Sequence, residues 1–147
     1  RDRSGARTLA LVGYAVAFAS AYLGGNLVYR KQIGVDHAVG STPPEDWTPV
    51  LDSNELADGE PRRVEVGGAR VLLVRREGEI YAIGEVCSHL GGPLAEGELQ
   101  GDVIQCPWHG SRFCVRDGSV VDGPATHPQP KFEARLNEGR IEIRAGA

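Results

Sequence analysis

Two regimes of hydrophobic patterning divide the chain. From Thr8 to Tyr29, "TLALVGYAVAFASAYLGGNLVY", no charged residue occurs. As an α-helix this run would extend roughly 33 Å, enough to cross the hydrocarbon core of a bilayer. Arg3 and Arg7 flank one end and Arg30 and Lys31 the other, with Tyr22 and Tyr29 placed for an interface. Ala17, Ala21 and Gly25 recur four apart, a small-residue stripe along which another helix can approach closely. A cleavable signal peptide would have a shorter apolar core and a small-residue cleavage site; here Tyr29-Arg30-Lys31 follows instead. The pattern predicts a transmembrane helix packed among other transmembrane helices. Cations at both ends leave its orientation open.

After residue 40 no helical period is sustained. Short strand-like runs appear instead: "RRVEV" alternates, "ARVLLV" is continuously apolar, and "EIYAIG", "DVIQC", "KFEARL" and "RIEIRA" follow at close spacing. Gly67-Gly68, Glu77-Gly78, Asp117-Gly118 and Glu138-Gly139 read as tight hairpin turns between them. "SNEL", from Ser53, reads as one helical turn. The fold class is therefore all-β, a small antiparallel sandwich or barrel preceded by one N-terminal helix. The boundaries fall at 1–37 for the helix and its flanks, 38–46 for a Gly-, Ser- and Pro-containing linker, and 47–147 for the β domain.

Charge sharpens this division. Residues 1–39 carry five Lys/Arg against two Asp/Glu, while residues 40–147 carry eleven against eighteen, a net of −7. An acidic domain argues against nucleic acid and suits a basic docking partner; a merely solvated acidic surface has the same composition. The first residue is Arg1, which reads as a piece of a longer or processed product.

The chemistry concentrates in "CSHLGGPLAEGELQGDVIQCPWHG", Cys87 to Gly110. Cys87-x-His89 is followed, after sixteen intervening residues, by Cys106-x-x-His109. Three cysteines make no paired disulfide framework, and their spacing beside His points to metal. Zinc accepts two thiolates and two imidazoles. Its fingers usually present a Cys pair and a separate His pair, however, whereas each turn here supplies one of each. That mixture suits a 2Fe–2S cluster with both thiolates on one iron and both imidazoles on the other. A nucleophilic Cys–His site would use one pair and leave the second idle.

"CSHLGGPL" and "CPWHGSRF" resemble the two cluster-binding boxes of Rieske iron–sulfur domains, and "GPATHPQPKFEARLNEGRIEI" resembles that family's proline loop and closing strands. The resemblance implies a Rieske-type β sandwich with a cluster-binding subdomain and one 2Fe–2S cluster per chain. It makes Cys87 and Cys106 the ligands of one iron and His89 and His109 those of the other. Leu90, Trp108, Gly110, Ser111 and Pro124 would surround them. The respiratory Rieske subunits of this family carry a disulfide between the boxes. The matching positions here are Gly92 and Trp108, so that bridge cannot form. Where those subunits place a tyrosine near a cluster sulfur, this chain has Phe113. Loss of that hydroxyl lowers the expected potential within the range of about −150 to +300 mV for such centres. The resemblance is to the ferredoxin type that serves oxygenases.

Cys114 is expected to be an unligated strand cysteine, His127 a turn histidine without function, and His37 a solvated residue beside the membrane. "GGNLVYRKQIGVDH" resembles the last helix of a family of small four-helix membrane domains. A Rieske oxygenase needs a further iron bound by two His and a carboxylate, and only His37 and His127 remain once the cluster is supplied. The expected function is thus one-electron transfer between redox protein partners, a reductase and an acceptor, by a membrane-tethered carrier on the cytoplasmic face. The alternatives are a zinc-stapled interaction domain or the electron-transfer component of an oxygenase system.

Overall fold

Charge-free from Thr8 to Tyr29, the N-terminal segment forms α1 (Arg3–Gly25), continued by a wider turn over Asn26–Arg30 in which Lys31 N–H donates to Asn26 O at 3.1 Å. The computed structural model describes residues 3–38 and 44–146; positions 39–43, inside the expected linker 38–46, lie outside the described residues. No α1 side chain is buried. Arg3–Arg30 is the one helix among the described residues long and apolar enough to cross a membrane, with a mean hydropathy of 1.5. The chain separates into two compact units, Arg1–Val35 and Asp36–Ala147.

Among the described residues, the second unit has ten strands in two antiparallel sheets. The larger comprises β1 (Thr48–Asp52), β2 (Arg62–Val66), β3 (Ala69–Arg76), β4 (Glu79–Gly84), β9 (Lys131–Asn137) and β10 (Arg140–Ala145), in the order β1-β10-β9-β4-β3-β2. The smaller comprises β5 (Glu98–Gln100), β6 (Val103–Gln105), β7 (Arg112–Cys114) and β8 (Val120–Asp122), in sequential order. The small sheet is an insertion between β4 and β9, which pair with each other through Ala82↔Phe132 and Ile83↔Lys131. Gly84 N–H donates to Pro130 O at 2.8 Å across the base of the insertion.

The continuously apolar "ARVLLV" is explained by burial on both faces of β3. Val71 and Leu73 join Phe132, Ile141 and Ile143 in one core. Leu72 and Val74 point the other way, into a second core with Ile83, Leu94, Ile104 and Phe113. "RIEIRA", by contrast, alternates. Ile141 and Ile143 are buried, while the exposed side carries ion pairs to β9, Arg135–Glu142 at 2.7 Å and Arg144–Glu133 at 2.6 Å.

Three of the expected hairpins form as drawn. "SNEL" makes a short 3₁₀ turn over Ser53–Glu55. Asp117-Gly118 lies instead in a five-residue loop between β7 and β8, closed by Cys114 N–H to Ser119 O at 2.9 Å and Gly118 N–H to Cys114 O at 2.9 Å. Asp117 Oδ1 accepts from both the N–H (2.9 Å) and the hydroxyl (2.7 Å) of Ser119, and these bonds hold its carboxyl below the usual carboxylate range.

Candidate metal centre

Both Cys–His boxes fold into the same turn. In the first, Cys87 N–H donates to Gly92 O at 2.8 Å and Gly91 N–H returns to Cys87 O at 2.8 Å. In the second, Cys106 N–H donates to Ser111 O at 2.8 Å and Gly110 N–H returns to Cys106 O at 3.1 Å. Each turn needs a left-handed residue four positions after its cysteine, and each has glycine there, Gly91 at φ 76° and Gly110 at φ 74°. The first turn extends from β4 beyond the Val86↔Pro93 bridge; the second joins β6 to β7.

The two turns sort their side chains by type. Cys87 and Cys106 are buried within the second core and face each other. His89 and His109 meet edge to face with ring centroids 5.0 Å apart. Among the described residues, no three of His, Cys, Asp and Glu converge on one point as a single ion requires. The four residues form a thiol pair and an imidazole pair, the division that a two-iron cluster asks for and a tetrahedral zinc does not.

Local electrostatics keep the Cys87 thiol and the His89 imidazole in their neutral forms. Burial pushes the Cys87 thiol up and the neighbouring Cys106 thiol adds to this, while the His89 backbone N–H and the Ser111 hydroxyl oppose it. A metal overcomes such a penalty by binding the deprotonated sulfur. Burial also lowers the His89 imidazole, followed by repulsion from His109 and His37. His89 Nδ1 is buried without a hydrogen-bond partner, a donor atom kept for something other than protein. Gly92 completes the cradle. A Cβ there would stand 2.7 Å from Cys106 Sγ and 3.2 Å from the Trp108 ring.

Outer residues fix the turns. The Ser111 hydroxyl, fully buried, accepts from Ala125 N–H at 3.2 Å just after Pro124, and its own hydrogen is free to face Cys87. Ser88 is gripped from the opposite side: its hydroxyl donates to His127 O at 2.7 Å, and its N–H reaches Gln129 Oε1 at 2.8 Å. In that amide orientation Gln129 Nε2 donates to Val86 O at 3.0 Å. The proline loop, 124–130, is thereby tied to the first box. Phe113 fills the core beside both cysteines.

Of the residues singled out in the sequence, Trp108 is 58% exposed with its ring 6.4 Å from His109, and Leu90 is 40% exposed. Cys114 is set apart because it begins the β7–β8 loop, at the opposite end of β7 from the second box; its thiol faces Asp117. His127 contributes a backbone carbonyl, and its ring bonds Thr126 Oγ1 at 3.1 Å. His37 is not a solvated residue: it is partly buried, and its N–H donates to Ser88 O at 3.1 Å. Sequence reasoning missed Ser88, Gln129 and Glu85. Glu85 is fully buried two residues before Cys87, with Arg70 Nε 3.8 Å away; burial raises its carboxyl, and Arg70 and Arg63 partly offset this.

An antiparallel domain with paired thiols in its core and paired imidazoles at one end is the architecture of an iron–sulfur electron carrier. The model of the Rieske [2Fe-2S] domain matches residues 46–133, and the chain belongs to this family. It is 39% identical over 98 residues to Ferredoxin CarAc of Metapseudomonas resinovorans, covering 66% of this chain and 92% of that protein. It is 38% identical over 96 residues to Apoptosis-inducing factor 3 of Mus musculus, of whose length the match spans 16%. In a solved complex of reduced oxygenase and oxidized ferredoxin in carbazole 1,9a-dioxygenase, one chain superposes with a TM-score of 0.64 at 36% identity, covering 68% of this chain and 94% of that one. The ferredoxin of carbazole 1,9a-dioxygenase from Nocardioides aromaticivorans IC177 gives a TM-score of 0.64 at 30% identity, covering 72% of this chain and all of its own. The domain's cofactor is a Rieske 2Fe–2S cluster.

Proposed function

We propose that this chain is a membrane-tethered Rieske ferredoxin, with Cys87 and Cys106 holding one iron and His89 and His109 the other, which passes single electrons from a reductase to an oxygenase-type acceptor. The observation that carries this reading is the pairing by type: two equivalent turns put thiol against thiol in the core and imidazole against imidazole outside it. When bound, the cluster supplies a one-electron couple. The protein's part is to deny the sulfurs water, orient both rings, and offer the Ser111 hydroxyl to Cys87. The likeness to ferredoxins of dioxygenase systems supports an oxygenase-type acceptor. Helix Arg3–Arg30 supports the tether, and the likeness to oxygenase-system ferredoxins is the ground for proposing a cytoplasmic face.

Iron, zinc and acid-labile sulfide analysis of the full chain, purified in detergent without oxygen, tests the cofactor together with low-temperature EPR after dithionite reduction. Two irons, two sulfides and a rhombic signal with nitrogen hyperfine coupling are expected; one zinc and no sulfide would overturn the carrier. Retention in membranes after alkaline carbonate washing tests the tether separately, and release into the supernatant would remove it.

A further inference from the structure

The two boxes share a turn but differ in the residue after the cysteine. In the second box it is Pro107, whose ring fixes φ and leaves no N–H. In the first it is Ser88, free to rotate and carrying an N–H, a hydroxyl and a carbonyl to satisfy. A different segment takes each of these groups. Ser88 N–H donates to Gln129 Oε1 at 2.8 Å, its hydroxyl donates to His127 O at 2.7 Å, and its carbonyl accepts from His37 N–H at 3.1 Å. Ser88 stands between the proposed ligands Cys87 and His89, so whatever fixes its two peptide planes fixes the angle between those side chains. The far end of the first plane is held too, by Gly91 N–H on Cys87 O at 2.8 Å, and the far end of the second turns the His89 N–H toward the Cys87 thiol.

Of these three partners, Gln129 alone acts through its side chain. It is buried, and its amide reaches both sides of Cys87: Oε1 takes the Ser88 N–H, while Nε2 donates to Val86 O at 3.0 Å and to Gly84 O at 3.3 Å. Gly84 leaves the room for it, since a Cβ there would stand 3.0 Å from the amide. The Gln129 backbone is anchored away from the site. Its N–H donates to Gly118 O at 2.8 Å, a Cβ on Gly118 would collide with Gln129 O, and Pro128 and Pro130 stiffen the chain on either side. A leucine would occupy this interior position at a smaller desolvation cost, so the buried amide is explained by the groups it holds.

We infer that Gln129 is the positioning residue of the first box: its amide does for Ser88 by hydrogen bonding what the pyrrolidine ring does covalently for Pro107, so that the orientation of His89, and not that of His109, depends on it. This rests on the ligand assignment proposed above.

Iron content and EPR of the wild-type full chain in detergent are checked first, so a failed ligand assignment appears there, before any variant is compared. Gln129→Leu removes the amide bonds and keeps the site filled. It is expected to retain its iron and to alter the coupling of one of the two nitrogens seen by pulsed EPR of the reduced protein. Amide exchange at Cys87 and Gly91, read by mass spectrometry, is expected to accelerate roughly tenfold, the equivalent of one hydrogen bond, with exchange at Cys106 and Gly110 unchanged. Adding Ser88→Pro to Gln129→Leu is expected to return both readouts toward wild type, because a residue locked by its own ring no longer needs the clamp. The identical bonding of the two turns, Cys87 N–H to Gly92 O and Cys106 N–H to Ser111 O, shows that proline fits at this place. Unchanged couplings and unchanged exchange in Gln129→Leu would overturn the inference. Equal acceleration at Cys106 and Gly110, or a shift in both nitrogen couplings, would reduce Gln129 to a general core residue and equally overturn it. A double variant that behaves as Gln129→Leu alone would break the parallel with Pro107. If Gln129→Leu holds no iron, exchange is compared between the iron-free wild type and the iron-free variant: acceleration confined to Cys87 and Gly91 supports the positioning role, and equal rates in the two proteins refute it.

Discussion

Single atoms at the site have consequences that can be read individually. At Gly92 the missing Cβ is a requirement, because any side chain there meets Cys106 Sγ at 2.7 Å. Gly92→Ala should lower iron and sulfide per chain well below wild type, with an overpacking cost of about 1–3 kcal/mol, read by metal analysis and thermal unfolding. Ser111→Ala should keep both irons and lower the midpoint potential on the order of 60 mV, the one-electron equivalent of roughly 1.4 kcal/mol for a hydrogen bond lost to charged sulfur; an unchanged redox titration would show that the hydroxyl does not face the cluster. Cys114→Ser should leave iron content intact, because its loop stands at the other end of β7. Asp117 gives a pH signature of defined sign. Its folded pKa is depressed by the Ser119 bonds, so its contribution is present above the unfolded carboxylate value near 4 and disappears as pH falls through the folded value. Melting temperatures of Asp117→Asn should accordingly lie below wild type at neutral pH and approach it in acid.

Elements show where the sequence was legible and where it was not. The long strands announced themselves because six or more residues of alternation or apolar run cannot easily mean anything else, as with β3, β4, β9 and β10. Strands β5, β7 and β8 have three residues each, too few to display a period; they exist because the turns between them are fixed. Strand β1 was hidden by Pro49 in a five-residue strand. The boxes themselves were readable, since Cys, His and a glycine four positions after each Cys recur in both. Ser88, Gln129 and His37 were not readable, because each matters through a partner far along the chain and has no spacing to betray it. Burial of β3 on both faces yields a paired test. Leu73→Ala and Leu72→Ala should each cost about 2–5 kcal/mol in unfolding. Only Leu72→Ala, whose side chain shares a core with Cys87 and Cys106, should also speed bleaching of the visible absorbance by a chelator.

For the whole molecule, net charge is the property with the longest reach. Surplus acid in residues 40–147 steers cationic partners over distances that salt shortens to about 10 Å at 0.1 M. Reduction of cytochrome c should slow steeply between low and high salt, whereas reduction of ferricyanide, itself an anion, should accelerate. Parallel behaviour of the two oxidants would mean that surface charge plays no part in encounter.

The bond from Gly84 N–H to Pro130 O closes the large sheet behind the insertion that carries the proposed cluster ligands. Everything from Glu85 to Gln129 leaves and re-enters that sheet through one narrow neck. Before iron arrives, the six-stranded sheet can therefore assemble from strands on both sides of the neck while the insertion is still loose. Such an immature chain would present Leu72, Val74 and Ile83 to water, an oily strip that the finished site covers. Cells starved of iron or sulfide should accumulate a half-built, adhesive form of this protein, one that needs a chaperone or a protease more urgently than an ordinary unfolded chain would.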